Sequence, residues 1–306
     1  MIASSEESMQ QQSAEIAGSR VRIGYTVELT YEVLSSAEFI FNVHAARTPQ
    51  QHVVAESLVV TPHVPVELVE DPSFGNRLAR LHAEPGPLWV RYAGTVDITH
   101  YMAEPGLLVG TPLAELPAET LLFLRASRYC QADRVQALAW QEFGHLAPGH
   151  GQVNAVSMWV RDRTRFQPGT SGASTSALET LNDRVGVCRD FAHLTISLLR
   201  ALNYPARIVT AVDYGADPGL GPPDFHAYVE AFLNGRWYMF DPTGLTPLTG
   251  LIRIATGTDA ADVSFATMFG DVRTTMPKVS FAAAEDVEAG IALPRPTTLA
   301  VSTAAL

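Results

Sequence analysis

Cys188, His226 and Asp241 are of the types, and stand in the order, that nucleophilic acyl transfer requires: a thiol to attack, an imidazole to move protons and a carboxylate to orient the ring. Cys188 opens the run CRDFAHLTISLLRALNY, in which Phe191, Leu194, Leu198, Leu199 and Leu202 recur at helical spacing, and Gly186-Val187 breaks whatever precedes it. The cysteine is therefore expected in the first turn of a buried helix. Free backbone N–H groups and the positive end of the helix dipole favour the thiolate there, the form that attacks a carbonyl.

The elements that must position the other two residues follow in order. The helix is expected to end at Asn203-Tyr204-Pro205, and the β-branched run 206–212 reads as a core strand. After a loop rich in Gly, Pro and Asp, a second strand over 225–233 carries His226 near its start. Asn234-Gly235 is a two-residue hairpin signal, and the returning strand 236–241 is closed by Pro242. In a hairpin the end of the second strand lies beside the start of the first, so Asp241 and His226 are expected to be neighbours.

The segments GVCRDFAHL, PPDFHAYVEAFLNGRWYMFDPTG and ASRYCQADR resemble bacterial transglutaminase-like proteins of the papain-like cysteine-enzyme superfamily, and GLIRIATGTDAADVSFATMFG extends the likeness beyond Asp241. The resemblance implies an α+β fold in which a papain-like, transglutaminase-like catalytic domain follows an N-terminal antiparallel β-sandwich-like domain. It implies Cys188 as nucleophile, His226 as general base and acid, and Asp241 as the group orienting the imidazole. An upstream aromatic that helps form the oxyanion hole in such proteins makes Trp159 a candidate, although a tryptophan in WVRDRTRF also suits a core.

On pattern and composition the 306 residues divide into a disordered lead (1–19), a β domain (20–104), a linker (105–117), a catalytic domain (118–284) and a loosely ordered tail (285–306). Helices are expected over 118–124, 131–143, 152–164 and 176–182, and a further strand over 272–281. A net charge of −11 with no basic patch excludes a nucleic-acid partner. No run of 18 apolar residues is present, so no membrane association is expected. The acidic, polar N-terminus lacks the features of a signal peptide, which points to a cytoplasmic protein.

The two cysteines read as one reactive thiol and one small buried hydrophobe, Cys130, rather than as a disulfide. His193, five residues past Cys188, falls about 140° around the helix and reads as a core histidine. Arg189 suits either an ion pair or substrate contact, and Asp224 either the cleft or a loop cap. No CxxC, HExxH, GxSxG or P-loop spacing occurs, so neither metal nor cofactor is expected. The reaction expected is cysteine-dependent hydrolysis of an amide in a peptide, protein or small molecule. Acyl transfer to an amine, a narrow activity on one amide metabolite and a non-catalytic binding module are the alternatives, and the residues do not choose the acceptor or the oligomeric state.

Overall fold

In the computed structural model, residues 15–216 and 224–304 are described. The period-two alternation of the N-terminal region becomes a β-sandwich. β1 (Glu15–Val33) and β6 (Gly86–Ala103) pair antiparallel along their length, and alternate residues of β1, from Val21 and Ile23 to Tyr31 and Val33, are buried. β3 (Gln51–Thr61) extends this sheet beside β6. A second sheet contains β2 (Ala37–Phe41), β4 (Glu67–Glu70) and β5 (Arg77–Ala83). The two sheets meet through aromatic rings: Tyr31 of β1 lies 5.2 Å from Phe39 and 5.8 Å from Phe41 of β2. Each such buried side chain contributes about 1.5–3 kcal/mol.

The segment expected to be a linker is a strap. It holds short 3-10 turns at Pro105–Leu107 and Leu113–Glu115, and Val109 and Gly110 bridge to Gly149 and Leu233. Beyond it, 118–124 is a 3-10 helix rather than an α-helix, and the helix expected from residue 131 is a 3-10 turn followed by α1 (Gln136–Phe143). α2 (His150–Arg163) and α3 (Ala177–Asp183) come next, the latter opened by a Ser176–Glu179 capping box. β7 (Arg165–Phe166) and β8 (Val185–Gly186) form a short parallel pair that delivers the chain to α4 (Cys188–Ala201).

α4 is the buried helix that the leucine spacing requires: every residue from Asp190 to Ala201 is buried. It packs against β9 (Ala206–Asp213) and β10 (Phe225–Leu233). With β11 (Arg236–Phe240) and β12 (Leu251–Gly257) these make an antiparallel sheet in the order β11-β10-β9-β12.

The linear division into domains needs correction at both ends. β1 begins at Glu15, inside the expected lead, while residues 1–14 lie outside the described residues. After β12 the chain returns to the sandwich: β13 (Ala266–Phe269) joins β2, and β14 (Val272–Thr274) and β15 (Lys278–Ala284) join β1. These are two strands rather than one because Pro277, between them, has no N–H for a ladder. The tail is also ordered, with β16 (Ile291–Ala292) beside β1 and β17 (Ala300–Ser302) beside β6. Elements of two or three residues are too short to show a period, and pairing alone makes them strands.

The tail and the β11-β10-β9-β12 sheet share a buried charge cluster. Glu230 of β10, fully buried, accepts from Arg207 Nε at 2.8 Å and also bonds Arg253 Nη2, which lies 3.3 Å from Thr303 Oγ1. Removing one member leaves buried charge uncompensated, so Glu230→Ala is expected to cost about 3–5 kcal/mol in urea unfolding. A loss under about 1 kcal/mol would show that the two arginines find water or other acceptors instead.

Candidate active site

The cysteine's position is built from its neighbours. Val187 is extended (φ −113°, ψ 179°) and precedes the first helical residue, Cys188. Asp190 turns back to accept the Val187 N–H at 2.8 Å, closing the helix N-terminus as the dipole favours. Gly186 is required by that turn, since a Cβ there would lie 2.7 Å from Asp190 Cβ. Asp190 also accepts from Ser171 Oγ at 2.8 Å. Cys188 is partly exposed and lines a cavity of about 440 Å³.

His226 lines the same cavity and is 4 % exposed. β9 holds it, with Ala211 directly opposite. The ladder between β10 and β11 stops with Phe240 opposite Val229, so the first residues of β10 run past the hairpin and are paired by β9 alone. Asp241 sits just beyond β11 and reaches the imidazole from there, Oδ1 lying 3.2 Å from His226 Nε2. Its carboxylate is fixed by Thr243, whose N–H and hydroxyl donate at 3.0 and 2.7 Å. The 3.2 Å contact is off the axis of the ring N–H, so it is an ion-pair contact more than an aligned hydrogen bond.

Burial alone would lower the His226 pKa, but the Asp241 charge, its contact with the ring and the neighbouring Cys188 thiol hold it well above the ordinary histidine value. Asp241 answers in the opposite sense: burial would raise it, and the imidazolium and Thr243 hold it below the usual aspartate value. A second carboxylate, unforeseen in the sequence, stands on the other side of the ring, with Asp213 Oδ2 3.8 Å from His226 Nδ1.

The remaining candidates separate. Arg189 lines the cavity, donating to Ser171 Oγ at 2.5 Å and Gly172 O at 2.7 Å, with Asp190 Oδ1 3.7 Å away. It joins the cleft and an ion pair at once. Trp159 does not join: its indole N–H donates to Glu142 at 2.9 Å and its ring packs on Phe143, so the oxyanion role is corrected to a helix-packing one. Asp224 is exposed, accepts only the adjacent Phe225 N–H at 2.7 Å among its described contacts and does not line the cavity, so it caps the strand start. The cavity wall missed in the sequence is aromatic, Phe225 stacked on Phe265 at 4.6 Å.

Cys130 is fully buried, and burial pushes its thiol up to about 12, which leaves it unreactive. His193 stacks on Tyr129 at 5.1 Å, accepts the Ala260 N–H at 3.1 Å and is held down to about 3 by burial. It braces the cavity wall against α4. Among the described residues no group of three or more His, Cys, Asp and Glu side chains forms a metal site. No described helix is long and apolar enough to cross a membrane.

These shifts fix a pH dependence. His226, raised above 6.5, adds stability that is complete below that value and is lost as pH rises through its folded pKa. Asp241, lowered below 3.8, adds stability present above that value and lost as pH falls through its folded pKa. His193, lowered from 6.5 to about 3, must stay neutral in the fold and costs stability as pH falls between those values. The urea midpoint is expected to be highest near neutrality, and His226→Gln should flatten its alkaline fall while His193→Gln flattens its acid fall. An alkaline fall unchanged in His226→Gln would mean that the ion pair adds nothing to the fold.

Comparison with known proteins places the fold in a family. Residues 139–242 match the family model of the transglutaminase-like superfamily, and residues 22–119 match the bacterial transglutaminase N-terminal domain. A crystal structure described as a "putative cysteine protease" from Cytophaga hutchinsonii is 38 % identical, with a TM-score of 0.87, covering 94 % of this chain and 99 % of that one. A Mycobacterium leprae protein, ML0607, is 35 % identical over 117 residues, which are 37 % of this chain and 42 % of that protein. The chain thus spans less than half of that curated relative. The periplasmic domain of TgpA from Pseudomonas aeruginosa bound to ethylmercury is 17 % identical, with a TM-score of 0.34, over 79 % of this chain and 94 % of that one, a likeness too weak to bear on mechanism. The chain belongs to the transglutaminase-like superfamily, with the bacterial N-terminal domain preceding the core.

Proposed function

We propose that the protein is a cysteine-dependent amide hydrolase, working through a thioester on Cys188 with His226 and Asp241 as its partners. The observation that carries the reading is a buried imidazole, 3.2 Å from the Asp241 carboxylate, in one cavity with a cysteine at the start of a buried helix. In the first step the Cys188 sulfur forms a bond to the amide carbonyl carbon. The C–N bond then breaks as His226 gives its proton to the departing amine. In the second step water attacks the thioester carbonyl while His226 takes its proton, and the acid and the Cys188 thiolate are released. The Cys188 N–H, in the first helical turn where no intrahelical acceptor exists, is the natural donor to the oxyanion.

A cavity of about 440 Å³ with an aromatic wall suits a peptide segment or a small amide. The first test is incubation with an amide library, with and without primary amines, read by product mass spectrometry. Hydrolysed acid in both arms supports this reading, whereas amine-linked product alone would make the protein an acyltransferase. Cys188→Ala should abolish turnover with the fold intact. Asp241→Asn should lower kcat by on the order of 10²–10³, less than the ~10⁴ seen in a serine triad, because cysteine is intrinsically the stronger nucleophile and needs less help from a third group. Full turnover in Cys188→Ala would end the proposal, and an unchanged rate in Asp241→Asn would reduce the site to a dyad.

A further inference from the structure

Asp213 is the last residue of β9 and is 8 % exposed. The register puts Ala211 and Val212 opposite His226 and Phe225, so Asp213 stands one step beyond the start of β10 and beside the ring. Its backbone is fixed on the other side by Leu251 of β12. Among the described residues the side chain accepts from its own backbone N–H and, at 3.4 Å, from Thr246 Oγ1, and Oδ2 lies 3.8 Å from His226 Nδ1. A buried carboxylate with so little hydrogen bonding is costly unless a positive charge compensates it. Among the described residues, the group within ion-pair distance that can carry that charge is the His226 ring.

We propose that Asp213 is a second positioning residue, stabilising the protonated His226 ring from its Nδ1 edge while Asp241 does so from Nε2. This rests on the reading of His226 as the catalytic acid and base. The two contacts differ in kind. Asp241 sits at 3.2 Å and is locked by Thr243, whereas Asp213 at 3.8 Å is too far to capture the Nδ1 proton. It leaves that proton free for the departing amine while still favouring the charged ring.

The groups facing His226 are Asp241 from the end of β11, Asp213 from β9 and Cys188 from α4; those facing Asp213 are His226, Asp241 and the Thr246 hydroxyl. Burial raises the Asp213 carboxyl while the ion pair lowers that of Asp241, so on acidification Asp213 takes up its proton first. Carboxylates whose affinities are driven apart in this way take different roles. Asp241 is the permanent orienting group, and Asp213 is the adjustable one.

The test is to titrate the His226 ring by NMR in the full chain labelled at histidine, comparing wild type with Asp213→Asn, Asp213→Ser and Asp213→Glu. The expected result is a His226 midpoint lowered by about one pH unit in the Asn and Ser variants and largely restored in the Glu variant. With an amide substrate identified, the alkaline limb of kcat/KM should move down by the same amount, leaving up to about tenfold less activity above it with KM nearly unchanged. Midpoint and limb both within about 0.2 units of wild type in folded variants would overturn the proposal and leave Asp213 as a partner of Thr246 only. The NMR arm needs no turnover. If Cys188→Ala retained activity, the catalytic reading would fall while the titration still decided whether Asp213 acts on His226.

Discussion

Burial by itself would strip the proton from His226, and the whole site depends on that not happening. A fully enclosed imidazole is neutral unless a fixed negative charge makes its protonated form the better one, and Asp241 at 3.2 Å supplies that charge. The competition is between desolvation and a charge contact in a low-dielectric site, where both are large. The contact wins because Asp241 is itself fixed by two donors from Thr243 and cannot relax away. Everything else in the fold can be read as holding the two ends of this contact and bringing Cys188 to it.

Three elements hold them. β9 pairs with the start of β10 where β11 has already ended, which fixes the ring; the turn at Asp241 to Gly244 fixes the carboxylate; and α4 brings the cysteine on the most deeply buried helix of the core. The sandwich is not a separate appendage. Strands from both before and after the β11-β10-β9-β12 sheet build it, and the final strand lies between β6 and β11, through the bridge of Ala304 to Trp237. Opening one part of this molecule therefore disturbs the other.

Much of the site was legible because its signals are local. Helical leucine spacing located α4, and Asn234-Gly235 located the hairpin. Gly186 marked the break before the cysteine, and its reason is visible as the space Asp190 occupies. The hairpin argument reached Asp241 correctly but by a simpler route than the fold takes, since β10 outruns β11 at the end that matters. Asp213 is not legible in the sequence because its contact with His226 crosses between two strands, and strand register is not written in either strand alone. Trp159 kept two readings for a related reason: nothing in a single helix says that its indole faces Glu142 rather than the cleft. The tail was misread because its strands are too short and too rich in small residues to carry a period.

The central claim is that Cys188, supported by the His226–Asp241 pair, carries the acyl group. The direct measurement is acid quench of the enzyme turning over a 4-nitroanilide or another cleaved amide, followed by peptide mass mapping. The account predicts the acyl mass on the peptide that contains Cys188, building within the first turnover and decaying with release of the acid. Turnover with no adduct on that peptide, or with the adduct on another residue, would contradict it.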